Sequence, residues 1–374
     1  MIFSNAIDRF MEKGVRDRVF PGAVLLVACR AEVVHHQGYG LANLYTGTPV
    51  TTETLFDLAS LTKPLATALS VIKLIETGRL RLDHSLEALF PETAGTDKGP
   101  IRIDQLLVHN SGLPDYRPFY KRLGAAPLET NKSLLRNRIL KEPLIGPIGR
   151  TVLYSDLGFM LLDWVIERVS GTRPDRFIGQ QVYAPLGLDR LFFVDLEGPL
   201  PEGRFAATEH CPWRNRVLEG WVHDENAFIS GGIQGHAGLF GTAAAVYRLL
   251  SILLTAYHRP SSSGSKEDSF FPGSLVRTFL KPFEDTGRSL GFDRPSPAGS
   301  SCGALFSAEA VGHLGFTGTS FWMDLERSVL VILLTNRVHP SRNNVKIRGF
   351  RPVLHDWVMK ELGYGRKAEP GEIG

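Results

Sequence analysis

Apolar positions along this chain follow two periodicities, and their order predicts the architecture. Ile7, Phe10, Met11 and Val15 recur at helical spacing, which predicts a first amphipathic helix ended by Phe20-Pro21-Gly22. Ala23 to Ala28 and Glu32 to His35 read as neighbouring strands, with Arg30-Ala31 near the turn between them. From Pro64, the residues Leu65, Leu69, Ile72 and Ile75 define a longer helix that stops at Gly78. From there to about Asp224 the pattern is mostly helical, interrupted by Gly- and Pro-rich loops. Leu157, Met160, Leu161, Trp164 and Val165 mark one such helix, opened by Tyr154-Ser155-Asp156. Ala243 to Ala256 is a further helix, and residues 260–268 and 294–303 read as loops. Val311 to Asp324 and Ser328 to Thr335 are strand-like, Arg351 to Leu362 is helical, and 366–374 reads as a loose tail.

Strands and a helix at both ends, with helices between, predict an α+β chain whose sheet is assembled from both termini. The α/β lobe spans about 1–62 and 240–365, and a helical lobe spans about 63–239, within one unit of residues 1–374. A cleft between the two lobes is the expected binding site.

Composition narrows the function. With 374 residues, 43% hydrophobic and 22% charged, the chain has the make-up of a soluble globular protein with a substantial core. Its formal net charge of +3 is small and scattered, which argues against a nucleic-acid partner and for a neutral or weakly anionic small substrate. Cys29, Cys211 and Cys302 are far apart and lack metal-ligand spacing, so reduced thiols are expected, and no metal or cofactor. The apolar runs are too short to span a bilayer, and the N-terminus lacks the pattern of a secretory leader, which makes a cytoplasmic address the expectation, with a periplasmic or extracellular one the alternative if a leader has been removed. Oligomeric state leaves no mark on the sequence.

One stretch stands apart: Phe56-Asp57-Leu58-Ala59-Ser60-Leu61-Thr62-Lys63-Pro64-Leu65 passes from an extended apolar run into the start of a helix. Ser60 and Lys63, three residues apart, share a face of the first turn, so the amine can reach the hydroxyl. A serine needs a neighbouring base to act as a nucleophile, and a helix start supplies unpaired N–H groups for a developing negative charge. Pro64 is tolerated there because a missing N–H costs little in a first turn. The spacing alone is common. It recurs at Ser263-Gly264-Ser265-Lys266 within a Ser-rich loop, and a capping serine followed by a surface lysine has the same form.

Three other stretches fit the same chemistry. Tyr154-Ser155-Asp156 opens a helix, where a phenol can be presented to a cleft; the plainer alternative is a packed aromatic ring. Gly312-His313-Leu314-Gly315-Phe316-Thr317-Gly318-Thr319 is a strand whose glycines allow a ligand backbone to come close, or simply a glycine-bearing edge strand. His109-Asn110-Ser111-Gly112-Leu113 is a loop expected to support the site rather than react.

Taken jointly, these motifs resemble the serine hydrolases of the beta-lactamase and penicillin-binding-protein superfamily, in the branch holding class C beta-lactamases, DD-peptidases and related esterases. Ser60-Leu61-Thr62-Lys63 matches the Ser-x-x-Lys motif, Tyr154-Ser155-Asp156 the Tyr-x-Asn position, and His313-Leu314-Gly315 the Lys-Thr-Gly or His-x-Gly position. Gly235-His236-Ala237-Gly238-Leu239-Phe240 and Leu334-Thr335-Asn336-Arg337 look family-like too, and the likeness runs from the first helix to the last. It implies a five-stranded antiparallel sheet flanked by helices with an inserted all-helical lobe. It also implies roles: Ser60 attacks and is acylated, a partly neutral Lys63 takes its proton, and Tyr154, held as a phenolate by nearby cations, acts as base and proton carrier. The oxyanion would sit between the N–H groups of Ser60 and Phe316, with His313 counted among the catalytic residues and Gly315 and Asp156 lining the substrate site.

Two departures shape the expected substrate. Asp156, unlike an asparagine, can pair with Lys63 but cannot donate to a substrate amide when ionised. His313 and Leu314 stand where a permanent cation and a hydroxyl would grip a carboxylate, which favours small esters or D-amino-acid-type amides over efficient beta-lactam hydrolysis. Asn343 and Lys346 are candidates to replace the lost anion contact, as the comparable segment does in class C relatives. The rival reading is a non-catalytic penicillin-binding or muropeptide-sensing module; a DD-carboxypeptidase or beta-lactamase proper is a third.

Gly299-Ser300-Ser301-Cys302-Gly303 fits a Gly-x-Ser-x-Gly elbow, but that elbow needs a preceding strand and here prolines precede it. His223, Asp224 and His236 lack recognised metal spacing, and Trp221 to Asn226 is expected near the cleft mouth. Leu249, Leu250, Leu253 and Leu254 are expected in the core.

Overall fold

Strand β1, Gly22–Cys29, is apolar almost throughout, and both of its faces are covered. Val24, Leu26 and Ala28 face one core, whereas Ala23, Leu25 and Val27 face another, as the two-residue period of a strand requires. A computed structural model describes residues 5–123, 128–259 and 270–365. The loop over 260–268, the Ser263-Lys266 repeat of the motif and the tail 366–374 lie outside the described residues.

The main sheet contains β1, β2 (Glu32–Asn43), β3 (Thr48–Pro49), β4 (Arg288–Ser289), β5 (Phe292–Asp293), β6 (Val311–Leu314), β7 (Ser320–Asp324) and β8 (Val329–Thr335). Their order is β3-β2-β1-β8-β7-β6-β5-β4, antiparallel throughout. The first and last strands of the chain therefore meet at the centre, where Ala23 pairs with Thr335 and Cys29 with Val329. The α+β class holds, with eight strands in place of five. The five longest arise from the four strand-like runs of the sequence, one of them divided in two, and the three additions are two-residue strands too short to show alternation in sequence. The run Val311–Asp324 is broken at Gly315–Thr319 into a hairpin.

One face of the sheet is covered by α1 (Asn5–Arg16) and α5 (Ile347–Glu361) through Ile7, Met11, Leu354, Val358 and Met359. The other is covered by α2 (Leu69–Glu76) and α4 (Ala243–His258), whose Leu249, Leu250, Leu253 and Leu254 are core residues as expected. Helix α5 starts four residues earlier than its apolar spacing indicates, with Pro352 inside it. The central part of the chain is mainly helical and includes α3 (Asp156–Ser170), capped by the Ser155 side chain. It also holds short strands: Phe56–Asp57, Leu239–Gly241 and Leu191–Phe193 form a three-stranded sheet, and His210–Cys211 pairs with Arg216–Val217. Asn336 ties the layers together, accepting from the Gly22 N–H and donating to the Ala42 and Ala207 carbonyls. No helix of the described residues is long and apolar enough to cross a membrane.

Because both faces of β1 are buried, truncation on either is costly. Leu26→Ala should lower unfolding stability by about 2–5 kcal/mol, whereas Val33→Ala, on the exposed part of β2, should stay within about 0.5 kcal/mol. Denaturant midpoints at unchanged slope are the measurement.

Candidate active site

The chain reaches Ser60 through a backbone held from several sides. Asp57 accepts from the Ala59 and His223 N–H groups through its two carboxylate oxygens (2.8 and 2.7 Å), and its carbonyl accepts from the Thr317 hydroxyl (2.7 Å). Thr319 donates to the Leu58 carbonyl at 3.1 Å. Under this restraint Ala59 adopts φ of 48°, a conformation costly for a residue with a Cβ, immediately before Ser60. A single turn, Ala59–Leu61, then leads into a π-helical turn, Lys63–Ala68, before α2 begins. Ser60, in the first turn, keeps its N–H outside the helical ladder.

Lys63 is completely buried. Its amine lies 2.7 Å from Asp156 Oδ1, 3.0 Å from Ser60 Oγ and 3.2 Å from the His236 carbonyl. Tyr154 completes the group, its ring centroid 4.8 Å from Lys63 Nζ. One edge of that ring opens to the cleft, leaving the residue 36% exposed, while its hydroxyl end is closely surrounded. His109 holds this segment: its Nδ1 accepts the Ser155 N–H at 2.9 Å, and its ring lies 4.6 Å from that of Tyr154.

The protonation states differ from the sequence expectation. Burial alone would push the Lys63 amine down, but Asp156, followed by Tyr154, outweighs it, and the net shift is upward. Lys63 is therefore an ammonium rather than partly neutral. Burial pushes the Tyr154 phenol up, and the pull of Lys63 does not overcome it, so Tyr154 keeps its proton and is no resting phenolate. His313 is brought down to about 4, first by burial and then by Lys63 and Arg288, against the pull of Asp293. It is neutral at pH 7. Its Nδ1 faces the Leu314 carbonyl at 2.9 Å and must donate there, which leaves Nε2 as an acceptor at the cleft wall, without a protein partner.

Ser60, Tyr154 and Phe316 stand where two cavities meet, of about 550 and about 330 Å³, sizes suited to small molecules. Phe316 is half exposed, and its N–H donates to no protein acceptor among the described residues. The glycines of this strand serve internal packing rather than a ligand. A Cβ at Gly312 would come within 2.5 Å of the Trp322 indole, and one at Gly315 within 2.0 Å of Thr319 Oγ1. Gly315 also spends its N–H on the Thr319 carbonyl at 2.7 Å, so it offers no donor to a substrate.

Asn343 and Lys346 do not line either cavity: Asn343 is exposed and the Lys346 amine donates to the Asp17 carbonyl at 2.9 Å. The cations facing the larger cavity from that part of the chain are Arg337, Arg348 and Arg351. Sequence reasoning misses Arg348 and Arg351 as cavity residues: the last helix it predicts begins only at Arg351, and it takes the observed start at Ile347 to put the two, three residues apart, on one helix face. His223 and His236 each meet a carboxylate, Glu209 at 3.1 Å and Asp224 at 2.9 Å, and no cluster of three or more metal-ligating side chains occurs among the described residues. His223 and Asp224 line the smaller cavity, at the cleft as expected of that stretch. Ser301 has neither a strand before it nor a helix after it.

Known proteins with similar sequences and folds place this arrangement. The family described as Beta-lactamase matches residues 6–351. A protein of Escherichia coli (strain K12) named "Putative D-alanyl-D-alanine carboxypeptidase" is 31% identical over 394 residues, covering 96% of this chain and 89% of the relative. The N-acetylmuramyl-L-alanine amidase of Bacillus subtilis (strain 168) is 31% identical over 369 residues, covering 89% and 80%. Among solved structures, EstCE1, a hydrolase with promiscuous acyltransferase activity, shares the fold with a TM-score of 0.69 at 22% identity, covering 92% of this chain and 97% of that one. A family match over nearly the whole chain, with relatives of this identity aligned end to end, settles its membership: the chain belongs to the beta-lactamase family.

Proposed function

We propose that this protein is a serine acyl hydrolase working through an acyl-enzyme on Ser60, with small esters or D-amino-acid-type amides as substrates. The observation that carries this reading is the buried Lys63 amine, bridging Ser60 Oγ and Asp156 Oδ1 at 3.0 and 2.7 Å beside an open cleft.

Because Lys63 starts protonated, it works as a relay. As Ser60 Oγ bonds to the substrate carbonyl carbon, its proton passes to Lys63 Nζ while Lys63 gives one of its own to Asp156. The carbonyl electron pair moves to the oxygen, which lies against the N–H groups of Ser60 and Phe316; one such donor is typically worth about 10²–10³ in rate. Tyr154, still holding its proton, delivers it to the departing oxygen or nitrogen as the tetrahedral centre collapses. The proton on Asp156 returns through Lys63 to the phenolate, and water repeats the sequence in reverse to free Ser60.

The neutral His313 and the alkyl Leu314 provide no permanent charge beside Ser60, which supports weak beta-lactam turnover. The names of the E. coli and B. subtilis relatives support amide substrates, and the fold shared with EstCE1 supports esters.

Nitrophenyl acetate should give a burst followed by steady turnover and an acetyl mass shift on the intact protein. Ser60→Ala should abolish the mass shift and lower kcat/KM by roughly a thousandfold or more. Covalent labelling by penicillin without any ester turnover would overturn hydrolysis in favour of a sensor.

Asp156→Asn tests the relay. Without the carboxylate, burial dominates and the Lys63 pKa falls below its unfolded value near 10.4. The variant should lose about 3–5 kcal/mol at pH 7 and regain stability as pH rises towards 10, since its unfolded state binds the extra proton. The native protein should show the opposite sign: with a raised Lys63 pKa, the contribution is full below about 10.4 and is lost only as pH climbs through the folded value.

A further inference from the structure

The larger cavity extends from Ser60 past the Gly315 turn to α5, well beyond the groups the proposed chemistry uses. Its lining is unusually basic, but most of those cations are already engaged. Arg288 pairs with Asp293, and Arg294 reaches Glu309 and two carbonyls. Arg337 donates to the carbonyls of Phe316, Arg342 and Asn344, which makes it a clamp on the loop. Like Arg337, Arg348 and Arg351 meet no carboxylate among the described residues, but they are not held by a set of carbonyls as Arg337 is.

Arg351 is only 5% exposed, and one bond of its guanidinium is accounted for, Nη2 to the Thr319 carbonyl at 2.9 Å. Its Nε is buried with no partner. Trp322, 1% exposed, lines the same cavity, and its indole Nε1 is likewise buried and unpartnered. Both groups are donors only. Arg288 Nε, on the same lining, is a third unmet donor, but its guanidinium already holds Asp293. An unmet buried donor is costly, and the Trp322 and Arg351 pair, with the Arg348 cation nearby and no carboxylate on either arginine, calls for a ligand rich in acceptor oxygens. Burial and the neighbouring Arg337 bring the Arg351 guanidinium down to about 9, so a negative charge beside it would relieve both effects.

We infer that the far end of the Ser60 cavity is an oxyanion subsite formed by Trp322 Nε1, Arg351 Nε and the Arg348 guanidinium, and that it takes the carboxylate end of the substrate. This rests on the acyl-hydrolase reading for its role, though not for the binding itself. It moves the anion grip away from the strand position of His313 and from Asn343 and Lys346, and onto one face of α5 and strand β7. Arg351 shares the Thr319 carbonyl with the Gly315 N–H, so the subsite is anchored one residue from the Phe316 N–H that faces the oxyanion.

The probe is N-acetyl-D-alanine, with N-acetyl-D-alaninamide as its neutral counterpart. In inhibition of nitrophenyl acetate hydrolysis, the acid should compete and the amide should be at least about tenfold weaker. Arg351→Gln should raise the inhibition constant of the acid about 10- to 100-fold, well beyond any change in KM for the neutral ester, and Trp322→Phe should raise it several-fold. Lys346→Ala should leave it unaltered. Binding is also read without turnover: in Ser60→Ala, the indole N–H resonance absent from Trp322→Phe should shift with the acid and stay in place with the amide. Equal affinity for acid and amide, or an unmoved Trp322 resonance at saturating acid, would overturn the subsite whether or not the protein hydrolyses esters. An acid-selective shift in a protein that turns over no ester would uphold the subsite and reject the hydrolase reading. If Arg351→Gln does not fold, Trp322→Phe and the resonance decide alone.

Discussion

A lysine ammonium with no exposure to water is the constraint on which the rest of this site depends. Removing such an ion from water costs several kcal/mol, and only close partners make it tolerable. Lys63 finds them in three segments far apart in sequence: Ser60 on its own turn, Asp156 at the start of α3, and the His236 carbonyl. The need to satisfy one charge therefore fixes the relative positions of the nucleophile, the phenol-bearing helix start and the 235–240 loop. Thr67 reinforces the last contact by donating to the Gly235 carbonyl at 2.6 Å. The same pairing decides the chemistry, because a lysine held as an ammonium can move protons only in exchange.

A second set of bonds joins this charge to the sheet. The β6–β7 hairpin turn reaches the nucleophile backbone through Thr317 and Thr319, which hold the carbonyls of Asp57 and Leu58. Ala59 can remain in its unfavourable conformation because both sides of it are tied down; strain of this kind persists only where the surroundings over-determine it. The turn that restrains Ser60 also carries the Phe316 N–H. Ser60 and the Phe316 N–H are thus positioned by one piece of structure, and movement of either is felt by the other.

Much of this was legible in sequence, for identifiable reasons. The central strands announce themselves because both faces are buried and their apolar runs are continuous. Ser60, Lys63 and Tyr154 sit at helix starts, where capping and periodicity mark the boundary. The two-residue strands of the central region carry no period and left no trace. Protonation was misjudged because it depends on how tightly Tyr154 and Lys63 are enclosed, which spacing does not reveal. The glycines at 312 and 315 invited a ligand-based explanation, whereas their missing Cβ atoms make room for Trp322 and Thr319. Asn343 and Lys346 were credited with an anion contact on position alone, and the direction of the Lys346 amine, towards Asp17, excludes it from the cleft.

The distribution of charge along the cleft follows from these same bonds. At the strand position beside Ser60 a neutral imidazole replaces a fixed cation, and its free Nε2 is an acceptor, so that wall attracts a donor and repels a carboxylate. In the smaller cavity, Asp224 holds His236 and Glu225 holds Arg342, so both carboxylates already have close partners. Among the described residues of the larger cavity, arginines without a carboxylate partner are Arg337, held by carbonyls, and Arg348 and Arg351 on α5, which line the wall with Trp322. A small carboxylate entering this cleft lowers its electrostatic energy by moving away from His313 and Asp156 towards α5. Its uncharged carbonyl is then free to occupy the junction at Ser60, between two backbone N–H groups. On the acyl-hydrolase reading, a neutral His313 near Ser60 would send the anionic end of a substrate to the far end of the cavity and leave Ser60 facing a neutral bond.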